Sequence, residues 1–271
     1  MPANSLPQIA IPLPHSGDRE YAVRAIPQYE RAVALAGGQP VRIPLDQTPT
    51  EVMKIVERCD GVLLPGSNAD VDPVRFGAIR SLHTAAPDAL RDNVDELLLR
   101  DAYNLRKPIL GICYGLQSLN VYRAGSLIQH IPDFLPEESR ARVNHEAGKK
   151  VQVAHSVEIE KSSKLAEIVS GRTDKNSKEK RTFAAEGQTR LVVPVNSSHH
   201  QAADAIGNGL RVVARCLEDG IVEALEGTAS DHFVIAVQWH PERTVDQDEP
   251  SRAIFQALVK AAEARRKQNQ K

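Results

Sequence analysis

A cysteine lies midway between two glycines in the stretch Gly111-Ile112-Cys113-Tyr114-Gly115, and this stretch restricts the choice of fold more than any other. The apolar run 107–110 before it predicts a buried strand, and residues 116–123 predict a helix. A sharp strand-to-helix turn holds a nucleophile at a strained backbone angle and leaves no room for side chains at the glycines. The helix start would also favour the thiolate. The pattern predicts a nucleophile elbow, the alternative being a buried cysteine in an ordinary βα turn.

Strand and helix patterns alternate along the first quarter of the chain. Apolar strands are predicted near 9–13, 41–43 and 61–64, with helices at 18–36 and 50–58 between them. This order predicts an α/β fold, a doubly wound and mostly parallel sheet with helices on both faces.

The rest of the chain adds to this sheet. Longer helical patterns follow at 88–105, with Leu90 and Val94 on the apolar face, and at 251–263, and residues 151–159 alternate as in a half-buried strand. Asp219-Gly220 between two strand patterns predicts a hairpin, and hence a smaller antiparallel part. We expect one domain over 7–264, flexible tails at 1–6 and 265–271, and a mobile loop at 171–190.

A second stretch supplies a base for the cysteine. The strand pattern 233–239 ends in His240-Pro241-Glu242. A histidine at a strand end can accept a thiol proton, and a carboxylate two residues on can hold the imidazole in the right tautomer. Cys113, His240 and Glu242 are therefore the predicted nucleophile, base and orienting residue.

Together these stretches resemble the class I glutamine amidotransferase family, and within it the γ-glutamyl hydrolases related to γ-glutamyl-γ-aminobutyrate hydrolase, peptidase C26. The resemblance runs from about residue 9 to about residue 258. It implies the flavodoxin-like fold of that family. The motifs that carry it are GICYG at 111–115, QWHPE at 238–242, LLPG at 63–66 with DVDP at 70–73, Gln117 with LNV at 119–121, and VNSSHHQ at 195–201.

The resemblance assigns an oxyanion hole to two backbone N–H groups, those of Gly66 and Tyr114. The family turn has a second glycine where this chain has Ser67, so the first donor is either Gly66 or Ser67. The hydrolase branch often has arginine at the position of Tyr114, which leaves the substrate open.

The resemblance also assigns residues to the glutamyl group. Gln117, one helical turn after Cys113, would hold its α-carboxylate or α-amino end, although an amide there can also cap local backbone. Asn196 and His199 would line the pocket. The implied function is a γ-glutamyl amide hydrolase that releases glutamate through a cysteine thioester. Three alternatives stay open: a glutaminase subunit that supplies ammonia to a separate synthetase, a catalytically degenerate binding protein, and a protease-like or chaperone-like relative with a reactive cysteine.

Composition argues against other classes of function. The formal net charge of −1 and the 25% of charged residues indicate neither a nucleic-acid surface nor a membrane surface. No run approaches the roughly 20 apolar residues of a membrane span, and the start does not read as a signal peptide, so a cytoplasmic location is expected. We predict a small-molecule substrate and no cofactor, and the oligomeric state is open, with a homodimer as one option.

No metal site is predicted either. The three cysteines lack metal-ligand spacing. Asp70 with Asp72 is better explained by a capped surface loop. A grouping of His199, His200 and His240 is disfavoured, because adjacent residues seldom face one ion.

Overall fold

The computed structural model describes residues 6–140, 143–148, 150–171 and 190–269. The strands are β1 (Gln8–Pro12), β2 (Gln39–Ile43), β3 (Gly61–Leu64), β4 (Ile109–Ile112), β5 (Leu127–Ile128), β6 (His155–Glu160), β7 (Arg190–Val195), β8 (Ala202–Ala203), β9 (Leu210–Cys216), β10 (Val222–Gly227) and β11 (Val234–Val237). The helices are α1 (Arg19–Leu35), α2 (Pro49–Val56), α3 (Ala89–Leu105), α4 (Tyr114–Tyr122), α5 (Ile131–Phe134), α6 (Glu137–Arg140), α7 (Lys164–Val169) and α8 (Glu249–Asn269), with 3-10 turns at Pro73–Phe76 and Pro241–Arg243.

Nine strands form one sheet in the order β2-β1-β3-β4-β11-β10-β9-β6-β7. The strands from β2 to β11 run parallel, and those from β11 to β7 pair antiparallel. The predicted α/β class is confirmed. The predicted antiparallel part, including the β9–β10 hairpin, continues the main sheet, and β5 and β8 form a separate antiparallel pair.

Each face of the sheet packs against its own helices, as the alternation of side chains in a strand requires. Leu63 of β3 packs with residues of α1 and α8. Its neighbours Val62 and Leu64 pack with residues of α2 and α3 on the other face. Helices on both faces explain why the parallel strands are apolar throughout.

Three of the predicted helices begin where their capping residues lie. Asp18, Thr48 and Asp88 each accept a hydrogen bond from a backbone N–H in the first turn of α1, α2 and α3. These bonds satisfy donors that have no partner within the helix. No helix in the described part of the chain has the length and apolarity needed to cross a membrane.

Three local predictions were wrong. The strand expected from 151 begins at His155, where pairing with β7 begins, and Val151 and Val153 are exposed. Leu90, expected on the apolar face of α3, is 45% exposed. Helix α8 continues past residue 263 to Asn269, supported by an ion pair between Glu263 and Lys267 one turn apart.

Other predictions about chain organisation stay predictions. Residues 172–189, which make up most of the loop expected at 171–190, lie outside the described residues. The assignment of one domain to 7–264 is likewise untested.

Candidate active site

Cys113 occupies the turn between β4 and α4 with φ of +53° and ψ of −106°. A positive φ is uncommon for residues other than glycine and indicates a constrained position. The flanking glycines are required by space: a Cβ at Gly115 would lie 2.1 Å from the carbonyl oxygen of Leu64, and one at Gly111 would lie 2.7 Å from that of Gly115. The turn therefore has the geometry expected of a nucleophile elbow.

His240 follows β11, the strand beside β4, so the two chain segments end next to each other. The register pairs Val237 with Ile112, and the N–H of Cys113 donates to the carbonyl of Val237 at 2.8 Å. Both side chains reach the space over Gly66, where a Cβ would lie 3.0 Å from His240 Cε1 and 3.6 Å from Cys113 Cβ. The structure thus brings together the cysteine and histidine that lie more than a hundred residues apart in sequence.

Glu242 holds the imidazole from the other side. His240 Nδ1 and Glu242 Oε1 are 2.7 Å apart, and both side chains are buried. Burial lowers the pKa of His240, but the Glu242 carboxylate and Cys113 outweigh it and raise that pKa to about 9. Burial likewise raises the pKa of Glu242, and the histidine charge more than reverses this. The pair therefore favours imidazolium beside carboxylate.

A small polar cavity lies beside the sulfur. Its volume of about 210 Å³ is below the roughly 300–1,000 Å³ of sites for drug-sized ligands. It therefore fits a small metabolite. The lining residues are Ser67, Asn68, Ala69, Asp70, Cys113, Gln117, Glu146, Ser198, His199, His200 and Gln201.

The two candidate oxyanion donors on the β3 turn differ in availability. The N–H of Gly66 donates to the Tyr29 hydroxyl at 3.0 Å. Ser67, the other candidate, lines the cavity. Tyr114 is the first residue of α4, so its N–H has no partner within the helix. Its side chain points away and donates to Asp92. The oxyanion role of Tyr114 with Gly66 or Ser67 stays a prediction.

The predicted pocket residues lie in three different settings. Gln117 lines the cavity, and its amide donates to the carbonyl of Gln201 at 3.1 Å. Asn196 does not line the cavity. Its side-chain amide instead makes two hydrogen bonds, of 2.8 and 2.9 Å, with the backbone of His240. His199 lines the cavity wall, but one ring nitrogen contacts the carbonyl of Gln201 and the other faces Glu223. These two bonds connect Asn196 directly to the backbone of His240.

Sequence reasoning assigned neither Asp70 nor His200 to the pocket. Asp72 does cap the 3-10 turn, as expected, by accepting from Val74 N–H. Asp70 instead is buried, and its carboxylate contacts His200 Nε2 at 3.1 Å on the cavity wall. This hydrogen bond raises the pKa of His200. Both residues lie in stretches that the family resemblance had marked, which is the signal that could have found them.

The disfavoured grouping of three histidines is absent from the described structure. His200 faces Asp70, His240 faces Glu242 and His199 faces Glu223. Each of the three rings therefore faces a different carboxylate.

Comparison with known proteins agrees with this architecture. Residues 12–242 match the family model of peptidase C26. A glutamine amidotransferase-like protein of Rickettsia prowazekii is 34% identical over 89% of this chain and 89% of its own length. The γ-glutamyl-γ-aminobutyrate hydrolase of Escherichia coli strain K12 is 31% identical over 87% of this chain and 85% of its own.

Solved structures show the same fold at lower identity. A protein from Thermoplasma acidophilum, described as part of a GMP synthase, superposes with a TM-score of 0.61 at 14% identity, covering 98% of both chains. The chain belongs to the peptidase C26 family, among the class I glutamine amidotransferase-like hydrolases.

Proposed function

We propose that this protein hydrolyses γ-glutamyl amides and releases glutamate through a thioester on Cys113. One observation carries the proposal: a cysteine on a strained elbow lies beside a buried histidine–glutamate pair, at the wall of a small polar cavity. The relative from Escherichia coli, named for hydrolysis of γ-glutamyl-γ-aminobutyrate, supports the same substrate class.

The first half of the reaction forms the thioester. Cys113 enters the reaction with its proton already on His240, and the thiolate sulfur attacks the γ-glutamyl carbonyl carbon. The oxyanion that forms accepts hydrogen bonds from the N–H groups of Tyr114 and Ser67. The tetrahedral species collapses as the carbon–nitrogen bond breaks, and His240 passes its proton to the departing amine. Glu242 stabilises the imidazolium throughout.

The second half uses water. His240 removes a proton from a water molecule, whose oxygen attacks the thioester carbon. The carbon–sulfur bond breaks and releases the Cys113 thiolate, and His240 keeps the proton taken from water, which restores the starting pair. The net reaction converts one amide and one water into glutamate and a free amine, with the enzyme unchanged.

The cavity also supplies groups for the amino-acid end of the substrate. His200, whose pKa is raised by its hydrogen bond with Asp70, pairs with the α-carboxylate. Gln117 and the carboxylate of Glu146 lie on the same wall and accept from the α-ammonium group. These groups favour a substrate whose α-amino and α-carboxyl groups are unmodified. The leaving amine then lies toward the mouth of the cavity.

The test is a panel of γ-glutamyl amides assayed for glutamate release, including glutamine, γ-glutamyl-γ-aminobutyrate and a derivative acetylated on the α-amino group. Wild type should release glutamate from unmodified substrates, and acetylation should raise KM. Cys113→Ala should lose at least about 10⁴-fold in kcat. Cys59→Ala, at another buried cysteine, is the matched control and should keep full activity.

Two outcomes would overturn the proposal. Activity on glutamine alone, and only with a synthetase present, would make the protein an ammonia-supplying subunit. No release from any substrate, together with no labelling of Cys113 by a γ-glutamyl electrophile, would leave a binding protein.

A further inference from the structure

A second cluster of polar side chains lies in the sheet region behind the cavity wall. His155 begins β6, Glu223 lies in β10, His199 follows β7, and His145 lies in the loop after α6. All four are buried, with exposed fractions of 5%, 6%, 5% and 0% for His145, His155, His199 and Glu223. Burying four such groups together is costly unless something satisfies them.

Their free atoms converge on one point. His145 Nδ1, His155 Nε2 and His199 Nε2 lie 3.4, 3.3 and 3.5 Å from Glu223 Oε1. None of these nitrogens, and neither oxygen of Glu223, has a hydrogen-bond partner within the described part of the chain. The separations exceed the 2.7–3.2 Å typical of N–H···O hydrogen bonds, so a direct network does not account for them.

The opposite ring nitrogens are held by acceptors. His145 Nε2 lies 2.8 Å from an Asp219 carboxylate oxygen, and His199 Nδ1 lies 2.9 Å from the carbonyl of Gln201. His155 Nδ1 faces the carbonyl of Ser156 at 3.5 Å. A proton on each of these nitrogens leaves a lone pair on the nitrogen that faces the cluster. Histidines that bind metals are oriented in this way, by carboxylates and backbone carbonyls behind them.

We propose that His145, His155, His199 and Glu223 bind one Zn²⁺ ion. Ligands about 2.0–2.1 Å from zinc in a tetrahedron lie about 3.3–3.4 Å from each other, and the nitrogens are 3.3–3.5 Å from the carboxylate oxygen. All the ligand atoms lie within 4.8 Å of one another, so closing the set around an ion needs only small side-chain shifts. This site is separate from the proposed reaction and does not rest on it.

The chemistry of the ligand atoms selects among metal ions. Three imidazole nitrogens and one carboxylate oxygen form a ligand set that zinc accepts readily, whereas Mg²⁺ and Ca²⁺ prefer oxygen ligands.

The closed ligand set indicates a structural ion. Four protein ligands leave no position for water, unlike the open sites of zinc enzymes. The ion would join the loop of His145 to β6, to β10 and to the segment 196–201. That loop and that segment are already linked, because the carbonyl of His145 accepts hydrogen bonds from His199 N–H and Ser197 Oγ. Glu146 and Ser198, beside the ligands, line the cavity, so zinc would hold part of its wall in place.

The direct test is metal content. Protein purified without a histidine tag, and dialysed against metal-free buffer, should contain about one zinc ion per chain. His155→Gln should lose most of it. His232→Gln is the matched control, since His232 is equally buried but bonds the carbonyl of Lys107 outside the cluster. Cys113→Ala should keep its zinc, which separates this site from the catalytic one.

Two further measurements test the proposal even if His155→Gln fails to fold. A strong chelator should lower the melting temperature of wild type and of His232→Gln, and added Zn²⁺ should restore it. His155→Cys should keep a metal and, loaded with Co²⁺, should show a thiolate-to-cobalt charge-transfer band that wild type lacks. Wild type that contains no zinc, takes up none on titration and melts unchanged with chelator would overturn the proposal.

Discussion

His240 shows how one neighbouring side chain can reverse the effect of burial on another. A buried imidazole alone would be neutral at physiological pH, because burial disfavours its charged form. With Glu242 2.7 Å away, its pKa instead rises to about 9. In the proposed mechanism, His240 therefore already carries, across the neutral range, the proton that the leaving amine needs.

Replacing Glu242 by Gln should change the pH profile as well as the rate. The substitution removes the charge that raises the His240 pKa, so burial then dominates and the pKa falls. Because the imidazolium is lost as pH rises through that pKa, the alkaline limb of kcat/KM should move from about pH 9 to lower pH. The rate at the optimum should fall by about 10²–10⁴-fold.

The control for this profile is Glu263→Gln, which removes a carboxylate from the surface of α8. It should leave both the limb and the rate unchanged. An unshifted alkaline limb in Glu242→Gln would show that another group sets it.

Asn196 acts on the same histidine through the backbone. Its two hydrogen bonds to His240 hold the chain where β11 turns toward Glu242. In Asn196→Ala we expect kcat to fall by about 10²-fold with little change in KM. A displacement of the catalytic base by about 1 Å is sufficient for a rate loss of that size. Steady-state kinetics with a γ-glutamyl substrate measures both constants.

Asn104→Ala, at an exposed position on α3, should keep wild-type kinetics. A rise in KM alone in Asn196→Ala would instead support the pocket role that the family resemblance assigned to Asn196.

At the scale of secondary structure, the elbow depends on close contact between β3 and the first turn of α4. Gly115 lies against the carbonyl of Leu64, and Gly111 lies against the backbone of Gly115. Neither neighbour is a flexible side chain, so a larger residue must displace backbone. The strained φ of Cys113 is thus maintained by contacts between elements.

Gly115→Ala should therefore lower the free energy of unfolding by about 3 kcal/mol, through overpacking. Urea unfolding followed by circular dichroism measures the loss. Gly17→Ala is the matched control, because its nearest neighbour would be a ring atom of His15 at an ordinary 3.5 Å. Equal stability of the two variants would mean that the elbow tolerates side chains.

At the scale of the whole molecule, Lys107 connects parts of the chain that lie far apart in sequence. Its ammonium group is 2.7 Å from Asp101 of α3 and donates to the carbonyl of Val56, the last residue of α2. Its own carbonyl contacts His232 at 2.8 Å, just before β11. The lysine is 1% exposed, so this junction is shielded from water.

Lys107→Met should cost about 3–5 kcal/mol of unfolding free energy, because it leaves the charge of Asp101 buried and unpaired. The double variant Lys107→Met with Asp101→Leu should recover a large part of that loss. Urea unfolding of both variants gives the comparison. If the double variant is less stable than Lys107→Met, the packing of the lysine stem matters more than its charge.

Patterns local in sequence were sufficient to predict the parallel half of the sheet, the starts of α1, α2 and α3, and the elbow around Cys113. Apolar runs, capping residues and paired glycines act through neighbours only a few residues away, so they can be interpreted without knowing the fold. The order Cys113, His240, Glu242 could be assigned a chemistry for the same reason, since each residue lies in a recognisable short motif.

Packing over long sequence distances decided the remaining features. The start of β6 depended on where β7 pairs with it. The partners of Asn196 and Gly66, the backbone of His240 and the hydroxyl of Tyr29, likewise come from distant parts of the sequence. The convergence of His145, His155, His199 and Glu223 had no sequence signal, because its members lie at irregular spacing on separate strands and loops. Such contacts are set by the register and order of the sheet, which bring residues far apart in sequence into contact.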